Sequence, residues 1–527
     1  MNFKTHLIAG ACLAACSASS FAVTAVKAVC PAAAPATSAD AVAYVNNCAP
    51  EYTLFVGGAS TQASNFATII KATVLDSSKM TPIVIVDKGS VSGIGTNVSG
   101  VSFDATKSNV RALYGMNSAG KRVLAIYNFN NGSAAGVSQL LGKPTLPSVL
   151  VSAGGIPESD VVFVGPAKSA TLAGGTAPGT FCAAATLATD TVASTDAAPV
   201  VNCTTHTPQQ ADLALSDTAP AELYAVYSGA KAKLTTLTNT PLFLQSFGVV
   251  VSPLLYSALQ TKNLADSLIP ATCVAGDLTA TCQPTIRRDE YASLVAKGGS
   301  IKTLAALTGS SLTDPLTLAR RDNLSGTQAV SNMFFVNGQC GGNGNGAVLK
   351  SLDNKVKLAG GLLGGLAIDD ISNSTSSLNI LSAVVSGDVK NAVASATGDA
   401  IGVLNVGGGG TVSNSDTSVT AKGRFVKIDG LSPNFNGAGA TGAAVTRAQI
   451  ATGNYPFAFT AYGSYVTASY GKMDATKKAL VDNALAGFKS SSLTDLSGVA
   501  YLDGAVSAKQ SAVNRTAGNN CSPITKL

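Results

Sequence analysis

The chain has 527 residues, of which 46% are hydrophobic and 12% are charged. This length is ample for two or more domains with hydrophobic cores of their own. The formal net charge of +6 is spread thinly, without a Lys/Arg cluster interleaved with aromatic residues, so the sequence predicts no nucleic-acid partner. His6 and His206 are the only histidines, which argues against most hydrolases that need a Ser-His or Cys-His pair.

The N-terminus has the pattern of an export signal. Lys4 precedes an apolar run over residues 7–15, and small residues follow as far as Ala22. The pattern predicts a signal peptide over residues 1–22 and a periplasmic or secreted mature protein. An alternative is a lipoprotein processing site in the sequence LAAC, where Cys16 would carry the lipid and anchor the protein in the outer membrane. Under both interpretations the chain leaves the cytoplasm.

The cysteines predict disulfides. Of ten cysteines, two lie in the signal, and an even number remains in a protein predicted to enter an oxidising compartment. Joining neighbours in sequence predicts the pairs 30–48, 182–203 and 273–282 and leaves Cys340 to reach Cys521, although other connectivities stay open. Neither a C-x-x-C pair nor a histidine cluster is present, so the sequence predicts no metal and no cofactor.

Four segments share one pattern, in which a short apolar run is followed by small hydroxyl or glycine residues and then by a helical pattern. They are YTLFVGGASTQASNFATIIKATVL (52–75), VLAIYNFNNGSAAGVSQLL (123–141), ADLALSDTAPAEL (211–223) and LTLARRDNLSGTQAVSNMFF (316–335). Strands that alternate with helices predict an α/β fold with a largely parallel sheet. A second Arg-Arg-Asp, at 287–289, runs directly into a helical pattern and predicts an acid-capped helix start.

The small residues stand where each predicted helix begins. The first amides of a helix have no intrahelical partner, and its dipole is positive there. Glycine and serine let the backbone approach a ligand, so several such helix starts that converge predict a site for a phosphate-like oxyanion. An arginine would add a planar charged fork for two oxygens. The alternative for each turn is a tight turn that merely needs small residues, and the repetition favours the anion site.

In order and character, these turns resemble the ligand loops of the periplasmic phosphate-binding proteins of ABC-type phosphate importers. GGAST resembles the family's first Gly-Ala-Gly-Ala-Ser/Thr loop and implies Ser60 and Thr61 as ligands. NGSAAGV resembles its Gly-Ser-x-x-Gly-Val helix start and implies Ser133. ADLALSDTAP is similar to Asp-Phe-Gly-Ala-Ser-Asp-Ala-Pro and implies that the carboxylate of Asp217 faces the phosphate.

The fourth turn, RRDNLSGTQ, resembles the family's Arg-x-Asp-x-Ser-Gly-Thr. It implies four further ligands: Arg321, Ser325, Gly326 and Thr327. The family arginine stands four residues before the serine, which selects Arg321 over Arg320. The family aspartate falls on Asn323 here, which is a departure from the pattern.

The resemblance implies a two-lobed periplasmic-binding-protein-like α/β fold that closes over its ligand like a hinge. Lobe one would combine residues 49–246 with 455–527, and lobe two would be residues 247–454. Two crossing strands, near FLQSFGVVVSP and NYPFAFTAY, would join the lobes. Low-complexity stretches rich in Ala, Gly, Ser and Thr would form surface inserts; they lie at 167–203, 341–370 and 406–418.

The function implied is that of an exported solute-binding protein that holds inorganic phosphate between its lobes without transforming it. It would serve phosphate uptake together with an ABC permease in the inner membrane. One alternative is an exported surface or matrix scaffold that reuses the fold, which the Cys16 motif and the inserts favour. Another is a phosphomonoesterase that holds the product phosphate, which the scarcity of histidine disfavours.

Overall fold

The structure, a computed structural model, describes twenty-three stretches of the chain. They are residues 30–31, 34–35, 38–59, 62–86, 110–128, 132–141, 185–187, 200–203, 211–223, 234–296, 300–301, 303–311, 316–321, 325–337, 363–364, 378–383, 386–394, 398–406, 423–433, 449–491, 498–502, 513–515 and 524–526. The predictions made for the signal peptide, Cys16 and His206 lie outside these residues.

The helices and strands of the described residues alternate over much of the chain. The helices are α1 (Ser38–Asn47), α2 (Ala63–Thr73), α3 (Gly132–Leu141), α4 (Pro220–Leu223), α5 (Pro253–Ala265), α6 (Arg288–Val295), α7 (Leu304–Thr308), α8 (Gly326–Val336), α9 (Ser386–Val393), α10 (Thr467–Lys472) and α11 (Ala475–Lys489). The strands are β1 (Tyr52–Gly58), β2 (Ile83–Val86), β3 (Val110–Met116), β4 (Arg122–Asn128), β5 (Ala185–Leu187), β6 (Val200–Cys203), β7 (Leu213–Ser216), β8 (Leu237–Val251), β9 (Thr285–Ile286), β10 (Leu316–Arg321), β11 (Leu363–Gly364), β12 (Leu378–Ala383), β13 (Asp399–Asn405), β14 (Arg424–Phe425), β15 (Lys427–Ile428), β16 (Ala458–Val466), β17 (Val499–Tyr501), β18 (Val513–Arg515) and β19 (Ile524–Lys526).

One large mixed sheet runs through the described residues. Its strand order is β11-β12-β10-β13-β8-β16-β7-β1-β4-β3-β2-β6-β5. β1 is parallel to both β4 and β7, and β10 is parallel to both β12 and β13. Each of the four predicted strand–turn–helix segments forms a strand followed by a helix. The protein therefore has the predicted α/β fold.

β8 lies in the middle of the sheet and changes its partner along its length. Leu237–Ser246 pairs antiparallel with β16, whereas Phe247–Val251 pairs antiparallel with β13. We call β1, β4 and β7 the β1 half of the sheet, and β10, β12 and β13 the β10 half. The change of partner between residues 246 and 247 supports the proposal that lobe one, 49–246 with 455–527, meets lobe two, 247–454, at this point.

Helices cover the faces of both halves because the strands present apolar side chains on both sides. α5, α6 and α8 pack on one face of the β10 half, where Leu318 and Val330 belong to the same hydrophobic cluster. α2 and α11 pack on the β1 half, where Phe66 and Val481 share a cluster with Val56. Burial of one such side chain contributes on the order of 2 kcal/mol to the free energy of unfolding. The two clusters therefore fix the positions of the strands within each half of the sheet.

Two of the predicted disulfides are confirmed. Cys30 is bonded to Cys48, and Cys273 is bonded to Cys282. Cys203 ends β6, while Cys182, Cys340 and Cys521, the other members of the predicted pairs, lie outside the described residues.

Part of the 167–203 insert forms the strands β5 and β6, which extend the sheet at its edge beyond β2.

The Arg-Arg-Asp at 287–289 begins a helix, as predicted. α6 starts at Arg288, and the side chain of Glu290 accepts a hydrogen bond of 2.8 Å from the N–H of Arg287. A carboxylate in this position satisfies an amide that has no intrahelical partner. The contacts of this Arg-Arg-Asp are structural: beside the cap at Glu290, the guanidinium of Arg288 stacks over the ring of Phe334, and the N–H of Arg288 donates to Asp429.

Candidate functional site

The site lies where the carboxyl ends of two sets of parallel strands face each other. β7 and β1 run in the direction of β8, because β16 is antiparallel to both β7 and β8. β13 and β10 run against β8. The carboxyl ends of both sets therefore point towards the middle of β8, where its partner changes from β16 to β13.

Each half also has a crevice between strands whose connections leave in opposite directions. In the β1 half, the chain leaves β4 through α3, forms β5 and β6 at the edge of the sheet, and then returns to β7 on the other side of β1. In the β10 half, it passes from β12 through α9 to β13, and so crosses β10. Ligands of open α/β sheets bind at such points, outside the carboxyl ends of the strands.

Four of the predicted site residues meet between these carboxyl ends. The hydroxyl of Thr327 donates a hydrogen bond of 3.4 Å to Oδ2 of Asp217, and the N–H of Asp217 donates one of 3.1 Å to Oγ of Ser133. Gly326 lies so close that a Cβ there would overlap the Ser133 hydroxyl and come within 2.8 Å of Oδ2 of Asp217. The structure thus joins two residues from the β1 half to two from the β10 half, all of them buried.

Two helix N-termini converge on this cluster. α3 begins at Gly132, next to Ser133, and α8 begins at Gly326. Ser325 is the N-cap of α8, and its hydroxyl accepts a hydrogen bond of 3.4 Å from the N–H of Gln328. Both helix dipoles place partial positive charge here, so the cluster can hold negative charge close to small polar side chains.

α3 can approach the end of β1 because neither partner carries a side chain at the contact. A Cβ on Gly136 would overlap the Cα of Gly58 and come within 2.6 Å of its backbone nitrogen. Gly58 itself has a φ of +134°, a conformation that residues with a Cβ rarely adopt. Gly136, the second glycine of NGSAAGV, is therefore needed for close packing, and this packing sets the position of Ser133, three residues earlier.

We expect Gly136→Ala to lower the free energy of unfolding by about 1–3 kcal/mol, because the added methyl group has no space against β1. Urea denaturation followed by circular dichroism measures the change. Gly471→Ala is the matched control, since Gly471 also lies in a helix but a Cβ there would meet no other atom within 4 Å. Equal midpoints for the two variants would contradict the packing role of Gly136.

The β1 half is aligned by a partly buried carboxylate, that of Asp212, just before β7. Oδ2 of Asp212 accepts hydrogen bonds of 2.8 Å from the N–H of Phe55 and 2.6 Å from Nζ of Lys477 on α11. Lys477 also donates to the carbonyl of Thr53. These bonds fix β7 beside β1, which places Asp217 at the same edge of the sheet as Gly58.

β10 ends in two buried arginines whose side chains leave opposite faces of the strand. Leu318 belongs to the cluster on the α8 face, and Ala319 belongs to the cluster that contains Val389 of α9. Because side chains alternate along a strand, Arg320 lies on the α8 face and Arg321 on the α9 face. Both are at most 5% exposed, and the backbone of Arg321 pairs with that of Ala383 in β12.

Arg320 lies near Tyr291 of α6. Burial raises the pKa of Tyr291, and a hydrogen bond with Ser331 and the positive charge of Arg320 oppose this shift. Arg320 is thus close to Tyr291 and is directed towards α6 and α8. Arg321 stands at the carboxyl end of β10, where the phosphate-like ligand is predicted.

The first predicted loop is only partly described. Ser60 and Thr61 lie outside the described residues, as does Asn323. The residue before them, Ala59, is anchored: its N–H donates a hydrogen bond of 2.8 Å to the carbonyl of Leu215, and its carbonyl accepts one from the hydroxyl of Tyr127. The loop therefore starts at the same sheet edge as Asp217.

An alternative role for Asp217 would be to cap the helix that follows it, but the carboxylate that accepts hydrogen bonds at that helix start is that of Glu222. The helix after Asp217 begins at Pro220, and the side chain of Glu222 accepts a hydrogen bond of 3.0 Å from the N–H of Ala219. Glu222 also accepts a hydrogen bond from the hydroxyl of Thr218. The Asp217 carboxylate, for its part, accepts the hydrogen bond from Thr327 of α8.

Two kinds of feature are absent from the described residues. Among them there is no group of three or more His, Cys, Asp or Glu side chains that could hold a metal ion. No described helix combines the length and the apolar composition that a membrane-spanning segment requires.

Asn405, at the carboxyl end of β13, lies at the edge of the site and was not predicted, because a single asparagine after an apolar run carries no specific signal.

No protein-family model matches the chain, and no curated protein matches its sequence. A putative phosphate ABC transporter substrate-binding protein with bound phosphate from Clostridium perfringens is 12% identical, with a TM-score of 0.27, over 52% of this chain and 72% of that chain. An ABC-type phosphate transport receptor from Vibrio cholerae is 13% identical, with a TM-score of 0.27, over 54% of this chain and 75% of that chain. A possible phosphate binding protein from Planctomyces limnophilus is 12% identical, with a TM-score of 0.25, over 53% of this chain and 81% of that chain. The solved structures to which this chain is similar thus include phosphate ABC transporter substrate-binding proteins.

Proposed function

We propose that the chain is an exported solute-binding protein that binds inorganic phosphate between two lobes and does not transform it. The observation that carries the proposal is the cluster of Ser133, Asp217, Gly326 and Thr327. It joins the start of α3 in one half of the sheet to the start of α8 in the other. A ligand at this point would be held by both halves, as the function of a two-lobed receptor requires.

The chemistry of the cluster suits an oxyanion that carries a proton. Backbone amides and hydroxyls at the two helix starts are donors for unprotonated oxygens, and Arg321 would supply charge and a bidentate fork. Ser60 and Thr61 would add donors from the loop after β1. The Asp217 carboxylate can accept a hydrogen bond from a protonated ligand oxygen, which phosphate has at neutral pH.

The cellular role follows from the resemblance of the four turns. A phosphate-binding protein of this kind would be exported to the periplasm and deliver phosphate to an ABC permease in the inner membrane. Processing at Cys16 would instead give an outer-membrane lipoprotein. An exported scaffold that merely reuses the fold is the alternative, and it would not need a competent anion site.

Titration of the exported chain, without residues 1–22, with inorganic phosphate tests the proposal. We expect one site per chain with a dissociation constant of about 1 μM or below, equivalent to roughly 8 kcal/mol. Absence of measurable binding at millimolar phosphate would favour the scaffold. Release of phosphate from a phosphomonoester by the purified protein would instead indicate an enzyme.

A further inference from the structure

Asn405, the last residue of β13, carries a buried side-chain amide. The residue is only 1% exposed, and its Nδ2 has no partner among the residues that the structure describes. The backbone is satisfied in the sheet, where Asn405 pairs with Phe247 of β8. A buried donor without an acceptor is unfavourable, so a water, an ion or a ligand is expected to supply one.

Asn405 stands at the same edge of the sheet as Arg321. Parallel pairing of β10 and β13 places Ala319 level with Gly402. Continuing this register by two residues places Arg321 level with Leu404, and Asn405 is the next residue along β13. With strands about 4.8 Å apart and a rise of about 3.3 Å per residue, the Cα atoms of Arg321 and Asn405 are about 6 Å apart.

Asn405 also lies on the face of the sheet from which α8 approaches the site. Ile401 and Val403 of β13 belong to the same hydrophobic cluster as Val330 and Met333 of α8. Leu404 belongs to the cluster on the opposite face. Since side chains alternate along the strand, Asn405 shares the α8 face, at the edge where that helix begins, whereas Arg321 leaves the opposite face at the same edge.

The position of Asn405 in the β10 half matches that of Asp217 in the β1 half. β7 lies on the opposite side of β1 from β4, and Asp217 follows Ser216, the last residue of β7. In the same way, β13 lies on the opposite side of β10 from β12, and Asn405 is its last residue. Both crevices are points at which open α/β sheets bind ligands.

We propose that Asn405 is a further binding residue of this site, whose Nδ2 donates a hydrogen bond to an unprotonated oxygen of the bound oxyanion. The proposal rests on the proposed phosphate-binding function. A neutral amide adds a donor without adding charge, on the side opposite the acceptor Asp217. The two side chains together would favour a ligand that has both a protonated oxygen and unprotonated ones.

Phosphate titration of the wild type and two variants tests this role. Asn405→Asp keeps the shape but replaces the donor by a carboxylate that repels the anion, and Asn405→Leu removes the donor without adding charge. We expect each to weaken phosphate binding by about 10- to 100-fold, the effect of one lost hydrogen bond to a charged group. Asn405→Leu should not lower the melting temperature of the unliganded protein, because it removes an unsatisfied donor.

Asn263→Asp is the matched control. Asn263 of α5 is also a fully buried amide whose Nδ2 has no partner among the described residues, but its Oδ1 accepts from the N–H of Thr285, away from the site. Its substitution should leave phosphate affinity unchanged. A wild type that binds phosphate, with unchanged affinity in Asn405→Leu, would overturn the assignment and leave the proposed function intact. A wild type that does not bind phosphate would overturn the proposed function itself.

Discussion

Arg321→Ala is expected to weaken phosphate binding by about 100- to 1,000-fold, or on the order of 3–4 kcal/mol, whereas Arg320→Ala should weaken it by less than about tenfold. Arg321 is 3% exposed at the carboxyl end of β10. Its loss would leave a desolvated anion without a charge-assisted, bidentate partner. Isothermal titration of both variants with phosphate at neutral pH measures the difference.

Arg320→Ala is the natural control, because the two arginines are adjacent, equally charged and both buried. Arg320 is directed towards Tyr291 and α8, so its removal should lower stability more than it lowers affinity. Thermal unfolding of the unliganded variants separates the two effects. If Arg320→Ala weakens phosphate binding more than Arg321→Ala, then the alignment that selected Arg321 is wrong.

The two Arg-Arg-Asp sequences show what local sequence can and cannot predict. At 287–289, a glutamate three residues after Arg287 is enough to predict the helix start, and the structure confirms the cap. At 320–322, the role of the arginines depends on the strand that carries them and on the helices that cover each face. The predicted α/β alternation was correct because strands and short turns are encoded in neighbouring residues.

The strand order could not be predicted from the residues alone. That β1 lies between β4 and β7, and β10 between β12 and β13, depends on packing between distant segments. The same limit applies to the contact of Gly326 with Ser133 and Asp217, which joins segments far apart in sequence. The resemblance supplied these residues as a set, whereas Asn405 is evident only from its burial, its face of β13 and the lack of an acceptor for its Nδ2 among the described residues.

The Asp217 carboxylate poses an electrostatic problem for any anion site. A carboxylate next to an oxyanion is repelled, and the repulsion is offset only when a protonated oxygen of the ligand donates a hydrogen bond to the carboxylate. Both common phosphate ions at neutral pH have a protonated oxygen, whereas sulfate has none. Asp217 is 3% exposed, so water cannot readily compensate an acceptor that faces an anion without a proton. We therefore expect selectivity by repulsion, with arsenate as the nearest competitor because it is also protonated.

The wild type should prefer phosphate over sulfate by at least about 100-fold, and Asp217→Asn should narrow that preference to about tenfold or less. An amide oxygen can still accept from the Thr327 hydroxyl, and an amide N–H can donate to sulfate, so the variant should gain sulfate affinity. Glu222→Gln is the matched control, because Glu222 is a nearby buried carboxylate engaged with the start of α4. Isothermal titration of all three proteins with both anions measures the ratios. Equal binding of the two anions by the wild type would refute selectivity by repulsion, and an unchanged ratio in Asp217→Asn would assign the selectivity to another residue.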